Sequence, residues 1–291
     1  MIDYIQSAPD EIRITILMVS LALLWNAENL TGNYNKWSHA RRNAMFVLTA
    51  APVQFVLGLA FVAVFHWNQV HHYGLLNWIP FRQSLLAEFV TTFIMLDLFE
   101  YFYHVLMHKY KILWRFHLVH HSDEVVDVSS TLREHPGETA IRLLFTILWI
   151  AISGAAFWAL MLRQFIQIFS NVLAHSNLRL PEKLDKILGW VFITPNLHHV
   201  HHHDTQPYTD MNFGDVLSIW DRLFGTFGRL DVHQVRFGVD TIRDESELDR
   251  FNKLLIMPFR PMDVKVEQDS KHIPLQVSES VWESGKSIQN Y

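Results

Sequence analysis

Long apolar runs joined by short polar connections fill the chain up to about residue 175, and four of them invite comparison with the ~20 residues a helix needs to cross a bilayer. Residues 12–30 are apolar apart from Arg13 and Glu28, and 43–65 carry no charge. Residues 84–103 are long enough but contain Glu88, Asp97 and Glu100, which predicts a helix with one lipid face and one functional face. Residues 139–174, charged only at Arg142 and Arg163, are too long for a single crossing and predict a helical hairpin turning near Ser153-Gly154. At 1.5 Å per residue each arm is roughly 27 Å long, marginal against a ~30 Å hydrocarbon core. Beyond about residue 176 the chain turns polar, with Pro181, Pro195 and Pro207, and reads as a cap. No internal repeat or low-complexity tract is present.

Imidazole dominates the polar positions around these runs. His104, His108, His117, His120 and His121 form one group, and His198, His199, His201, His202 and His203 a second. Residues three and four apart share a helix face. His104 with His108, and the triplets His117, His120, His121 and His198, His201, His202, can therefore each converge on one ion or bridge toward two. Spacing alone allows His199, His202 and His203 equally well. So many ligands exceed the roughly three that a catalytic zinc takes from protein, and two metals are the economical reading. The two groups can share a centre only if 139–174 turns back, which is the chemical reason for the hairpin.

Composition agrees with a membrane protein: 50% of the residues are hydrophobic and 18% charged, with 21 Phe and 10 Trp. The net charge of -5 gives no reason to expect nucleic acid. The absence of cysteine removes disulfides and thiolate sites, so histidine carries any metal chemistry. Residues 31–42 carry Lys36, Arg41 and Arg42 while 66–83 carry only Arg82, which predicts a cytoplasmic first loop and delivers His104 to the cytoplasmic side. The first residues lack a basic n-region and a small-residue cleavage site, so no removable signal peptide is expected.

Other residues are weighed individually. Asp97 lies two turns before His104 on the same helix face and is a candidate to accept an N–H from a metal-bound imidazole. Asp123, Glu124 and Asp127 could do the same or be solvated loop charges. His39, His66, His71, His72, His233 and His272 are isolated and read as non-ligating, His135 is intermediate, and Trp220-Asp221-Arg222 reads as a structural clasp in the cap.

The ordered motifs Asp97-x6-His104-x3-His108, His117-x2-His120-His121-Ser-Asp, Arg133-Glu-His135-Pro-Gly-Glu138, Asn171-x3-His175-Ser-Asn, Thr194-Pro-Asn-Leu-His198-x2-His201-His202 and Asn212-Phe-Gly-x5-Trp220-Asp-Arg resemble the fatty acid hydroxylase/sterol desaturase superfamily of integral-membrane di-iron oxygenases. The resemblance covers about 84–228. It implies metal ligation by His104, His108, His117, His120, His121, His175, His198, His201 and His202, and sets His199 and His203 aside as surplus, either beside the ligands or facing solvent. Some members carry histidine where this chain has Asn171, so Asn171, with Asp97 and His135, is a candidate to sit next to the ligands.

The expected architecture is an all-α integral-membrane bundle of about four to five membrane helices including the hairpin, with a cytoplasmic helical cap holding a di-metal site. The expected division is N-terminal membrane helices over 1–83, a catalytic domain over 84–228 and a polar cytoplasmic tail over 229–291. All-nitrogen sites suit Zn, Fe, Cu or Ni; attack on an unactivated C–H bond needs a redox metal, so the expected cofactors are two Fe ions, with O2 as co-substrate. The expected reaction is hydroxylation of a lipid, or desaturation at the same site, with Phe, Trp and Met lining the substrate slot. The chain has no Gly-rich dinucleotide fingerprint and no haem or flavin module, so the resemblance implies a separate electron donor such as a cytochrome b5, ferredoxin or reductase, in a bacterial inner membrane or endoplasmic reticulum. A membrane metal sensor or transporter is the competing class, disfavoured because 43–65 has no ionisable residue.

Overall fold

A chain this apolar satisfies its backbone in lipid by forming helices, and the computed structural model, which describes residues 7, 9–30, 36–78, 84–242, 248 and 250–260, has no β-strand among them, only the isolated bridges Phe192–Leu217 and His203–Phe237. The elements are α1 (Pro9–Asn29), α2 (Lys36–His71), α3 (Leu85–Lys109), α4 (Lys111–His121), α5 (Pro136–Ser153), α6 (Phe157–His175), α7 (Glu182–Leu188), α8 (Pro195–His201), α9 (Ile219–Phe224) and α10 (Phe251–Ile256). Three segments among the described residues are long and apolar enough to cross a membrane: Lys36–Trp78, α5 and α6. Almost none of the most apolar stretch of the first is buried by protein. Helices α1 and α3 run beside them, and the acidic Glu88, Asp97 and Glu100 distinguish α3.

The 139–174 run breaks where expected. Helix α5 ends on Gly154, whose φ of 64° is left-handed backbone that favours glycine, and α6 begins at Phe157. Glu138 at the start of α5 lies 2.7 Å from His117, and His175 at the end of α6 lies 3.0 Å from His120, so the segment leaves the histidines and comes back to them. At the far turn Gly154 packs directly on the backbone of Tyr73 and Gly74, where a Cβ would collide. Asn68 near the end of α2 donates to the Ile150 carbonyl at 2.5 Å, tying α2 to the same turn. Between the two ends the helices bury Leu96, Trp149, Ile150, Leu160 and Phe165 in one apolar cluster.

Two helices run further than their apolar stretches. Helix α2 starts at Lys36 because its first turns bury polar groups with partners: Lys36 pairs with Glu28 at 3.2 Å, and His39 with Asp123 at 2.7 Å and Asp127 at 3.2 Å. Helix α3 continues to Lys109 and so carries His104 and His108 out of the apolar region. All described residues belong to one compact unit, Met1–Pro261. Residues 261–291, about half of the expected tail, and with them His272, lie outside the described residues, as does Arg82.

The tight glycine turn gives a direct test of the hairpin. Gly154→Val places a β-branched residue in left-handed backbone and against Tyr73, a cost of at least about 1–3 kcal/mol. The melting temperature of the detergent-solubilised protein, followed by size-exclusion fluorescence, should fall by several degrees; an unchanged melting temperature would contradict the packing.

Candidate metal centre

The two helices that bring most of the histidines are short and set by local signals. Helix α4 starts afresh at Lys111 because Tyr110 is extended, with φ -100° and ψ 116°, and so turns the chain back across the end of α3. Helix α8 is started by Thr194, whose hydroxyl accepts from the Leu197 N–H at 3.2 Å, followed by Pro195 in the first turn. Each of these helices presents an i, i+3, i+4 triplet of histidines to the interior.

The nine histidines singled out by motif come together in two groups, in each of which one ring nitrogen per residue lies within 4.8 Å of the others: His104, His108, His117, His121 and His201, and His120, His175, His198 and His202. Both triplets straddle the groups. His117 and His121 face the first and His120 the second, while His201 faces the first and His198 and His202 the second. No other described residue joins either group.

The spacing fits a metal. The Nε2 atoms of His104 and His117 are 3.1 Å apart, those of His120 and His175 3.0 Å, His175 and His198 3.0 Å, and His198 and His202 3.2 Å. At metal–imidazole distances of roughly 2.0–2.1 Å, nitrogens on neighbouring coordination positions stand about 3.0–3.4 Å apart. Several of these rings have their outer nitrogen committed as a donor, which leaves Nε2 unprotonated. His117 Nδ1 donates to Glu138, His104 Nδ1 to the Phe213 carbonyl at 3.0 Å, His120 Nδ1 to the Arg133 carbonyl at 3.2 Å and His175 Nδ1 to the Asn171 carbonyl at 2.8 Å. Lone pairs then face each other, an arrangement that a shared cation makes favourable. His108 Nε2, His201 Nε2 and both ring nitrogens of His121 are buried with no hydrogen-bond partner, open for ligation.

One short strap orients much of the first group. Asp210 Oδ1 accepts from His108 Nδ1 at 3.1 Å, the Met211 carbonyl from His201 Nδ1 at 2.8 Å, and the Phe213 carbonyl from His104. Asn212 between them is left-handed, with φ 56°, and its side chain bonds Leu197 and Gly228, which pins the strap. Asp221 holds the other side by accepting from the Phe213 and Gly214 N–H groups at 2.7 and 2.9 Å. Burial pushes the imidazoles of His108, His120, His121, His198 and His202 well below the usual histidine range, with neighbouring imidazoles adding to it, and His201 down to about 3. Those six imidazoles are thus neutral at physiological pH.

Several candidate residues sit elsewhere. Asp97 does not bond an imidazole: it accepts from Trp220 Nε1 at 2.9 Å and from the Val216 and Leu217 N–H groups, and pairs with Arg163, fastening the cap to α3. His135 caps α5 by accepting from the Gly137 N–H and donates to the Leu255 carbonyl. Asn171 bonds Asp215 through its side chain at 3.3 Å and touches the site through its carbonyl on His175. His199 and His203 are outside both groups, and both are buried: His199 donates to the Ser176 carbonyl at 2.9 Å and His203 Nδ1 accepts from the Arg236 N–H at 3.0 Å. Asp123 and Asp127 are buried on His39, not solvated, while Glu124 is exposed. Trp220-Asp221-Arg222 is a clasp, with Arg222 donating to the Gly189 carbonyl at 2.9 Å. Glu138 and Asp210 are the carboxylates that do meet the histidines. Glu138 stood in the quoted His135-Pro-Gly-Glu138 motif without a role, and Asp210 had no signal beyond its place just before Asn212-Phe-Gly.

A cavity beside the groups is lined by Glu100, Tyr103, Glu134, Glu138, Arg142, Asn171 and Asp215 together with His104, His117 and His120. None of its lining residues is the Phe, Trp or Met expected from composition: Glu100 comes from α3, Glu138 and Arg142 from α5 and Asn171 from α6.

The family model described as fatty acid hydroxylase matches residues 89–226. Over 148 residues the chain is 29% identical to the ornithine lipid hydroxylase OlsE of Rhizobium tropici, covering 51% of this chain and 44% of that one. It is 32% identical to the alkylglycerol monooxygenase of Caenorhabditis elegans over 45% of this chain and 25% of the relative, and 30% identical to that of Homo sapiens over 47% and 30%. The chain thus spans less than half the length of these relatives. No solved structure matches it. The matched region contains α4, α5, α6 and α8 with all nine clustered histidines and the strap and clasp around them, so it is over residues 89–226, where the site is built, that the chain is similar to the fatty acid hydroxylase family.

Proposed function

We propose that the chain is a membrane-bound di-iron, O2-dependent oxidoreductase that hydroxylates a lipid. The observation that carries this reading is the pair of buried histidine groups, five and four residues, set at the end of apolar helices with nitrogens at ligand spacing. His104, His108, His117, His121 and His201 would hold one ion and His120, His175, His198 and His202 the other. Imidazole sets alone admit Zn, Cu or Ni; iron is favoured because the relatives carry the names hydroxylase and monooxygenase. The same names favour hydroxylation over desaturation. Bound iron supplies the redox chemistry that activates O2 against a C–H bond.

The chain's own residues have four tasks. Glu138, Asp210 and the carbonyls of Phe213, Met211, Arg133 and Asn171 hold the outer ring nitrogens, which fixes tautomer and ring orientation and keeps Nε2 available on the rings whose Nδ1 donates. The clasp at Asp221 and the bonds from Asp97 keep the cap seated over α3. Arg142 balances Glu134 at 2.9 Å and Glu138 at 3.3 Å beside the cavity. The cap and the helices together exclude bulk water from the ligands, most of which are buried.

The proposed topology has α1, α2, α3 and the α5–α6 hairpin in the membrane, with the histidines on the cytoplasmic side as the loop charges indicate. Electrons come from a separate donor of the cytochrome b5, ferredoxin or reductase kind that docks on the cap. The membrane is a bacterial inner membrane or endoplasmic reticulum.

Expression in a host membrane should produce a lipid species heavier by one oxygen, read by mass spectrometry of lipid extracts, and His202→Ala should abolish it; continued oxidation by that variant would contradict the assignment. Glu138→Gln removes the charge that orients His117. Iron affinity, measured by chelator competition, should fall about 10-fold or more, and an unchanged affinity would remove Glu138 from the orienting set.

A further inference from the structure

We propose that Glu100 and Tyr103 form a subsite for a hydrogen-bond-donating group on the substrate, a hydroxyl or an amine, so that the carbon presented to the metals lies next to the polar end of the lipid and not deep in its tail. This rests on the lipid-oxidising reading above. Glu100, Tyr103 and His104 stand at i, i+3 and i+4 on α3, so they share a helix face, and all three line the cavity beside the histidine groups.

Glu100 is only 8% exposed yet forms no hydrogen bond or ion pair, and its carboxylate opens to the cavity. The hydroxyl of Tyr103, a residue 3% exposed, is buried without a partner. The other charged groups around them are engaged: Glu134 and Glu138 with Arg142, Asp215 with Arg163 at 2.6 Å, and Glu138 with His117. Glu100 also belongs to neither histidine group, so ligand geometry does not account for it. An unpartnered carboxylate opening to the cavity, with an unpartnered phenol buried one helical turn away, is costly to leave so, and a methylene chain laid there would satisfy neither. An ionised carboxylate accepts, which favours an incoming group that donates; the phenol can accept from or donate to the same group. The charged and hydrogen-bonding side chains that line the cavity give such a group partners that an alkyl segment would not use.

The test uses the full-length, iron-loaded protein in nanodiscs and three probes of one chain length: dodecane, 1-dodecanol and dodecylamine. Binding is read by thermal shift and by perturbation of the iron absorption spectrum. The alcohol, the amine or both should bind at least about 10-fold more tightly than dodecane. Glu100→Gln and Tyr103→Phe should each reduce that preference about 10-fold, the worth of one hydrogen bond to a charged or buried partner, with dodecane binding and iron content unchanged. Preference for the amine alone assigns a cationic headgroup, and preference for both assigns any donor. Equal affinity for all three probes overturns the subsite. So does a variant that binds like the original, or one that loses iron, which would make the residue part of the metal centre. If the original protein bound no iron and oxidised no lipid but kept the probe preference, the hydroxylase reading would fail and the subsite would stand.

Discussion

Unprotonated imidazole nitrogens facing one another, as in the His104–His117 and His120–His175 pairs at 3.1 and 3.0 Å, repel unless a cation lies between them, and the rest of this protein can be read as the scaffold that brings them there. Burial removes the alternative of protonation, since charged imidazole is disfavoured away from water. Carbonyls and carboxylates on the outer ring nitrogens remove the alternative tautomer. With both escapes closed, the arrangement favours metal binding, and metal binding in turn contributes to folding stability.

The bundle follows from that constraint. Histidines on α3 and α4, on the end of α6 and on α8 can meet only if the α5–α6 segment returns to the side it left, so the Gly154 turn at the far end is as necessary to the site as any ligand. The helices before the family match take part as well: His39 and Asn43 of α2 hold Asp123 and Ser129 in the loop behind His120 and His121, and Arg133, whose carbonyl holds His120, donates to Asn43. The strap at 210–213 joins the cap to the same centre through three acceptors within four residues.

Much of this was legible in the sequence because metal ligation demands a particular side chain at a fixed helical period. The pairing of His104 with His108, the two triplet spacings and the turn near Ser153-Gly154 follow from that demand, whereas His175 and the setting aside of His199 come only from the resemblance of the ordered motifs. What was not legible is mostly backbone. The Phe213, Met211 and Arg133 carbonyls orient ligands, and any residue type offers a carbonyl, so no motif marks them. Asp97 shares a helix face with His104, but its partners Trp220, Val216 and Leu217 arrive from more than a hundred residues away and take the carboxylate first. His39 reads as isolated for the same reason, since the two aspartates that bury it are distant in the chain. The polar side chains around the cavity escaped a compositional reading because the chain's average is set by its many apolar residues, largely Leu, Val and Ile at the exposed surface, while a few charged residues converge inside.

The central claim is that nine imidazoles hold two irons. X-ray absorption at the iron edge on untagged protein measures it most directly. The account predicts about two irons per chain, a first shell of nitrogen and oxygen near 2.0–2.2 Å, and the outer-shell scattering of four to five imidazoles per iron. Absence of iron, or a first shell without imidazole scattering, would contradict it.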